Sequence, residues 1–400
     1  MTRRHVRLPF GRYLPPTGSA FVSVEVLGGV VLLVSTLAAL AWANLAPGSY
    51  QEVWSTKLTI GTGRLALSES LQLWVNDGLM TVFFFVVGLE IKRELVRGEL
   101  RDPRIASLPV LAAAGGMVVP ALLYLAVNAG GPGGRGWAIP MATDIAFAVA
   151  VLAIVGSRVP PQLKLFLLTL AIVDDIGAII VIAIFYSGDL SVAWLLGGVA
   201  SLGVVVGFQR LRVHHALAYV LPAVALWVCV LESGVHATIA GVVLGLLTPA
   251  RPLGGREMLE DLEARIHPWS SFLIVPVFAL ANAGIQLGGD SVTRALKSPI
   301  ALGVVLGLVI GKPLGIVATT ALALRLRLGR LPGGVRLAHI GAAGAAAGIG
   351  FTVSLVIANL SYAGVRLDEA KVAILSASIL SAAVGTTLLR VTTRQPGRSP

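Results

Sequence analysis

Residues 165–186 read LFLLTLAIVDDIGAIIVIAIFY, an apolar run that carries two charges side by side, Asp174 and Asp175. A helix rises about 1.5 Å per residue, so the run spans roughly 33 Å, enough to cross a bilayer. The aspartates are the tenth and eleventh of its residues and sit near its middle. An ionised carboxylate at that depth costs about 3 kcal/mol on insertion scales. Two of them together point to a use rather than an accident. Successive helix residues point about 100° apart, so Asp174 and Asp175 face different partners.

The rest of the chain supplies more runs of this kind. Of 400 residues, 56% are hydrophobic and 13% charged. That composition belongs to a polytopic membrane protein. Twelve apolar segments lie near 24–43, 72–92, 106–127, 137–156, 163–186, 192–208, 214–231, 234–247, 269–287, 300–324, 338–361 and 370–389. The 46 glycines suit close helix packing in lipid. A lone cysteine, Cys229, excludes an intramolecular disulfide and argues against a cysteine-based metal site. The net charge is +11, but the positives lie in loops between apolar runs. They therefore read as a topology signal, not as a nucleic-acid surface.

With the N-terminus placed inside, 23 of the 31 Lys and Arg fall on the cytoplasmic side and 7 outside, with Lys312 inside a segment. This bias puts both termini in the cytoplasm. The expected division is a basic N-terminus over 1–20, a membrane domain over 21–390 and a tail over 391–400. The first helix is expected to stay as a signal anchor. Residues 46–70 form the longest outside loop, with a hairpin expected from Val53 to Leu67 around Gly61-Thr62-Gly63. The inside stretch 251–269 is amphipathic and is expected to form a surface helix.

Four ionisable residues stand out deep in spanning segments: Asp144, Asp174, Asp175 and Lys312. Intramembrane charges mark ion or proton pathways more often than structural ion pairs. In the fourth segment Pro140 interrupts the helix, and Thr143-Asp144 reads as the N-cap of a second half starting near Ile145. In the eleventh, Gly341, Gly344, Gly348 and Gly350 weaken the helix, and Thr352 or Ser354 starts a new half. A Gly/Ala packing face explains those glycines equally well. The two segments run antiparallel. If both break at the midplane, like helix ends face each other, positive at N-termini and negative at C-termini. Asp144 is placed to balance the first pair and Lys312 the second. The chain has 25 Arg and 6 Lys, so Lys312 departs from its habit, and lysine, unlike arginine, can give up its proton when buried.

Carboxylates beside broken helices suit a hard cation or protons. If two protons leave when one Na⁺ binds, the loaded states differ in charge and exchange is electrogenic and pH-dependent. An intramembrane aspartyl hydrolase lacks its Gly-x-Gly-Asp context here. A channel would need a filter loop or charge ring, and none is visible; a symporter of organic solutes would find few aromatic or Arg groups at the site.

The stretches 76–95, 141–160, 170–186, 232–245, 267–285, 311–316 and 348–360 closely resemble the bacterial NhaA-type sodium/proton antiporters, in order from about residue 21 to 390. The resemblance implies an all-α polytopic fold. It has twelve transmembrane helices, segments three to five mirrored by ten to twelve as inverted repeats, and two discontinuous crossing helices, segments 4 and 11. It implies Asp175 as principal cation ligand and proton carrier, Asp174 as second carboxylate tied to Lys312, Thr143 in support and Asp144 as helix-end compensator. Gly348, Gly350 and Thr352 belong to the broken-helix backbone. The implied activity is export of cytoplasmic Na⁺ or Li⁺ against external protons at the inner membrane, with no cofactor and no enzymatic step. The implied assembly is a homodimer through 46–70. The family's pH-sensing region resembles Glu90, Arg93, Glu94 and Glu263, although i/i+3 ion pairs on a solvated helix end explain them as well. His236 matches a family histidine and is a further candidate pH-sensing residue, although a histidine packed near a helix end is the commoner case. Glu260 stands where the best-known members carry a basic residue three places before Glu263.

Overall fold

The computed structural model describes residues 6–7, 13–14, 18–61, 66–213, 215–250 and 257–394. Most of the basic stretch 1–20, Thr62 and Gly63 of the expected turn, residues 251–256 and the tail end 395–400 lie outside the described residues. The described chain is helical apart from short strand pairs, as a bilayer requires of a backbone that must satisfy its own hydrogen bonds. Eight helices among the described residues are long and apolar enough to cross a membrane, and nine if one bent pair is a single span.

Contacts divide the chain into two units. Of the described residues, one comprises those in 31–98 and 179–284, and the other those in 18–30, 99–178 and 285–394. The second unit holds two triplets of helices, each with a broken middle member. The first triplet is Pro103–Asn128, the interrupted stretch Ile139–Val155 and the aspartate helix Pro161–Phe185, which leaves the unit after Ala178. The second is Pro299–Arg325, the pair Leu337–Ala347 and Phe351–Ser361, and Val365–Thr392. Their core is built from small and branched side chains, among them Ala112, Leu152, Leu163, Leu170, Ile316 and Ala343. Helices Pro103–Asn128 and Lys312–Arg325 touch backbone to backbone, because a Cβ on Gly315 would collide with the Gly115 carbonyl. Without a hydrophobic drive between helices in lipid, such close approach is what holds them together.

Two helical runs contain a π turn beside a proline. Leu306–Gly311 is π-helical just before Lys312-Pro313, and Ser270–Ile274 lies between Pro268 and Pro276. Proline has no N–H to give to the helical ladder, and the π turn absorbs the resulting change of register.

Several expectations are corrected in the other unit. The seventh and eighth segments, already short in sequence, shift their bounds: a 3₁₀ turn Ala216–Tyr219 leads into Val220–Glu232, and Thr238–Leu247 has 10 residues. The second segment is a helical run of three pieces, Leu71–Leu73, Trp74–Leu79 and Met80–Val96. The expected surface helix over 251–269 is instead, over its described part, the first half of a span. Met258–Trp269 continues to Asn282, with Leu259, Glu263 and His267 buried. A hairpin does form in the outside loop, pairing Lys57–Ile60 with Leu67–Ser70. Val53 is not part of it, because Pro47–Ser55 is a helix, with proline at its first turn.

In this unit Met80–Val96 and Thr238–Leu247 also pack through glycine. A Cβ on Gly88 would lie 2.7 Å from the Val242 carbonyl, and one on Gly245 would lie 2.6 Å from that of Phe85. Gly207 faces open space. Gly245→Val should therefore cost about 1–3 kcal/mol or more from overpacking, seen as a lower unfolding midpoint in detergent. Gly207→Val should stay within about 0.5 kcal/mol of the parent.

Candidate functional site

The candidate site lies where the two broken helices of the second unit meet the aspartate helix. The fourth segment starts as a 3₁₀ turn, Ile139–Met141, runs extended through Ala142 and resumes as Ile145–Val155. Pro140 itself has no N–H to donate, and Asp144 caps the second piece by accepting from the Phe147 N–H at 3.1 Å. The eleventh segment ends its first half at Ala347 and restarts at Phe351 with Gly350 as N-cap, the halves bent by 49°. The new half thus begins one residue before Thr352 and three before Ser354.

The two breaks satisfy each other's loose backbone groups. The Asp144 N–H donates to the Ile349 carbonyl at 2.6 Å. The Asp144 carboxylate accepts from the Thr352 N–H at 3.1 Å. One carboxylate therefore serves the N-terminal N–H groups of both second halves, the ends that carry partial positive charge. Ser354 Oγ donates to the Ile139 carbonyl at 2.6 Å.

The opposite ends are served by a cation. Lys312 Nζ donates to the Met141 carbonyl, at the end of the 3₁₀ turn. The same nitrogen lies 2.8 Å from Asp174 Oδ2. Both side chains are 0% exposed. Thr143 Oγ1 lies 2.7 Å from Asp174 Oδ2 and 3.0 Å from the Ala347 carbonyl, the last residue of the other first half. A hydroxyl has one proton to donate, so it serves either the carboxylate or the helix end. Asp174 Oδ1 is buried and has no hydrogen-bond partner among the described residues. Asp175 is buried at 5% exposure and acts electrostatically on Lys312.

Asp174, Asp175, Asp144, Lys312 and Thr143 therefore gather with Gly348, Gly350 and Thr352 around the paired breaks. Sequence reasoning passed over Glu25, which is buried and acts on Asp144. Its signal was plain: it is the one acid in the first apolar segment. The Met141 and Ile349 carbonyls have no sequence signal at all.

Glu90, Arg93, Glu94, Glu263 and His236 belong to the other unit. Arg93 reaches Glu263 at 2.8 Å and Glu94 at 3.4 Å, while Glu90 faces His267 at 3.5 Å. Pairing thus runs both within the end of Met80–Val96, through Arg93 and Glu94, and from that helix to Met258–Trp269. Arg97 engages Glu260 and lies 3.7 Å from Glu257. His236 stands apart from that group, with Nε2 3.6 Å from Asp77 and Nδ1 2.8 Å from Thr238 Oγ1. The reading from sequence did not include His267, Arg97 or Asp77. The spacing of Glu263 and His267, one helical turn apart, was the available signal for the first.

Loss of Asp144 exposes two helix ends at once. Asp144→Ala should lower stability by about 2–5 kcal/mol, the range for removing a cap and breaking a buried charged network. Asp144→Asn keeps an acceptor and should cost less than half as much. Chemical denaturation in detergent reads the difference.

A sequence profile described as Na+/H+ antiporter 1 matches residues 19–389. The chain is 46% identical over 398 residues to Na(+)/H(+) antiporter NhaA 1 of Erythrobacter litoralis, covering 99% of this chain and 98% of that protein. It is 48% identical over 380 residues to Na(+)/H(+) antiporter NhaA of Escherichia coli O1:K1, covering 94% and 98%. Its fold resembles that of the sodium proton antiporter MjNhaP1 of Methanocaldococcus jannaschii, with a TM-score of 0.53 at 14% identity, over 92% of this chain and 98% of that one.

Proposed function

The chain belongs to the Na+/H+ antiporter 1 family, and we propose that it exports cytoplasmic Na⁺ or Li⁺ in exchange for external protons across the bacterial inner membrane. Both termini are cytoplasmic in this reading, and residues 21–390 form the antiporter domain. Its twelve spans include two inverted triplets, and the fourth and eleventh segments cross at their breaks. The observation that carries the reading is the fully buried Lys312–Asp174 contact at 2.8 Å, one residue from Asp175 and beside both breaks. Asp144, Asp174, Asp175 and Lys312, buried together beside two breaks, support a pathway for ions rather than a structural pair.

Asp175 is the principal cation and proton carrier, and Asp174 the second carboxylate. With protons loaded, Lys312 holds Asp174. Sodium, a hard cation, prefers oxygen ligands, and the two carboxylates with the Thr143 hydroxyl supply them. Asp174 Oδ1, buried with no hydrogen-bond partner among the described residues, has acceptor capacity left for a proton or a cation. When Na⁺ binds, Thr143 can turn its proton to the Ala347 carbonyl and present its oxygen to the ion. Asp144 stays as the fixed negative charge between the helix N-termini. Protons and Na⁺ compete for the same oxygens, so activity depends on pH. Two protons against one Na⁺ make the exchange electrogenic.

The clustered Glu90, Arg93, Glu94 and Glu263 form the pH-sensing group in this reading, and His236 lies outside it. Glu260, held by Arg97, shifts that group's balance toward negative charge relative to members with a basic residue there. The exposed hairpin Lys57–Ile60 with Leu67–Ser70 offers the homodimer contact.

Everted vesicles with an imposed proton gradient should lose it when Na⁺ or Li⁺ is added. Asp175→Asn should reduce that response to background while the protein remains folded, and normal transport by that variant would refute the assignment. Lys312→Arg should keep the fold and alter the pH profile. Lys312→Ala should cost about 3–5 kcal/mol of stability, because it strands a buried charge.

A further inference from the structure

A cleft of about 710 Å³ opens at one end of the second unit, away from the paired breaks in sequence and lined by different residues. It sits at the start of helix Pro103–Asn128, beside the first turns of the aspartate helix, under the loop that follows Lys312–Arg325. Its charged lining is Arg104, Arg327 and Arg330 with Glu99, an excess of positive charge, and Gln162 and Thr169 add neutral polar groups. Among the described residues none of the three guanidinium groups is ion-paired. Its apolar lining includes Leu108 and Phe166, both buried, and Leu165, which is half exposed.

The loop is built to hold this shape. Ser107 Oγ donates to the Leu328 carbonyl at 2.9 Å, fixing the loop to helix Pro103–Asn128. The Leu328 N–H closes onto the Ala323 carbonyl at 2.9 Å, the pattern of a helix stop with a left-handed residue between. That residue is Arg327, at φ 57°. Glycine takes this conformation without steric cost and is the usual choice. Arginine here accepts strain and gains a guanidinium at the cleft.

We propose that this cleft binds an anionic phospholipid, with its phosphate on Arg104, Arg327 and Arg330 and an acyl chain along Leu108, Leu165 and Phe166. The charge selects an anion, and guanidinium forks suit phosphate oxygens. The continuous apolar wall selects a lipid over a free phosphate. Basic pockets between spanning helices take anionic headgroups in this way. Binding here is independent of the exchange chemistry, resting only on the chain being a multi-pass membrane protein.

The test uses the full-length protein, delipidated in an uncharged detergent, with lipid adducts counted by native mass spectrometry and unfolding midpoints recorded. Phosphatidylglycerol should raise the midpoint and leave an adduct, whereas phosphatidylcholine and soluble glycerol phosphate should do neither. Arg104→Ala with Arg330→Ala should bind phosphatidylglycerol roughly thirtyfold more weakly (about 2 kcal/mol), the loss of two basic residues at a membrane surface. Arg327→Gly should weaken lipid binding while leaving the lipid-free midpoint equal or higher, since glycine relieves the left-handed strain. An unchanged phosphatidylglycerol response in these variants, or an equal response to glycerol phosphate or phosphatidylcholine, overturns the proposal. A lower lipid-free midpoint in Arg327→Gly with lipid binding intact would make Arg327 a structural residue only and overturn its role.

Discussion

The second unit depends on one constraint: a charge buried at membrane depth must be met by an opposite charge or by a helix end. Asp144 meets two helix N-termini through the Phe147 and Thr352 N–H groups. Lys312 meets a helix-end carbonyl at Met141 and the carboxylate of Asp174. Neither solution exists without the breaks, because an unbroken helix offers no free ends in its middle. The breaks in turn would leave backbone groups unsatisfied in lipid without these side chains and the Asp144–Ile349 backbone bond. Broken helices and buried charges therefore stabilise each other, and removing either exposes the other.

This mutual dependence also supports the proposed exchange. Thr143 has one proton and two acceptors, Asp174 and Ala347. Asp174 Oδ2 takes both Lys312 and Thr143 while Oδ1 takes neither. In the proposed cycle the site changes its load by rearranging a few hydrogen bonds around a fixed Asp144. The surrounding helices are packed through Gly115 and Gly315 and through small alanines, a core that transmits small shifts instead of absorbing them.

Much of this was legible in the sequence because membranes punish exceptions. Asp174, Asp175, Asp144 and Lys312 are conspicuous in apolar runs, and Pro140 and the glycines around 348–350 announce breaks. The N-cap role of Asp144 follows from its place after Thr143 and before an apolar run. Backbone acceptors were not legible, since the Met141, Ile349 and Ala347 carbonyls look like any others. Neither was the partner of Arg93: Glu263 lies far away in sequence, and its burial appears only when Met258–Trp269 is seen as part of a span. The amphipathic pattern there was real, but Glu263 and His267 pair with Arg93 and Glu90 while Arg265 stays exposed. Glu25 lies near the start of its segment, and only its burial shows that it acts electrostatically on Asp144.

In the proposed cycle Na⁺ and protons compete for the same buried carboxylates. Calorimetric titration of Na⁺ into the purified protein, repeated in buffers of different ionisation enthalpy, counts protons released per ion bound. The account predicts net proton release on binding, with Na⁺ affinity falling as pH falls. Sodium binding with no proton release and an affinity independent of pH would contradict it.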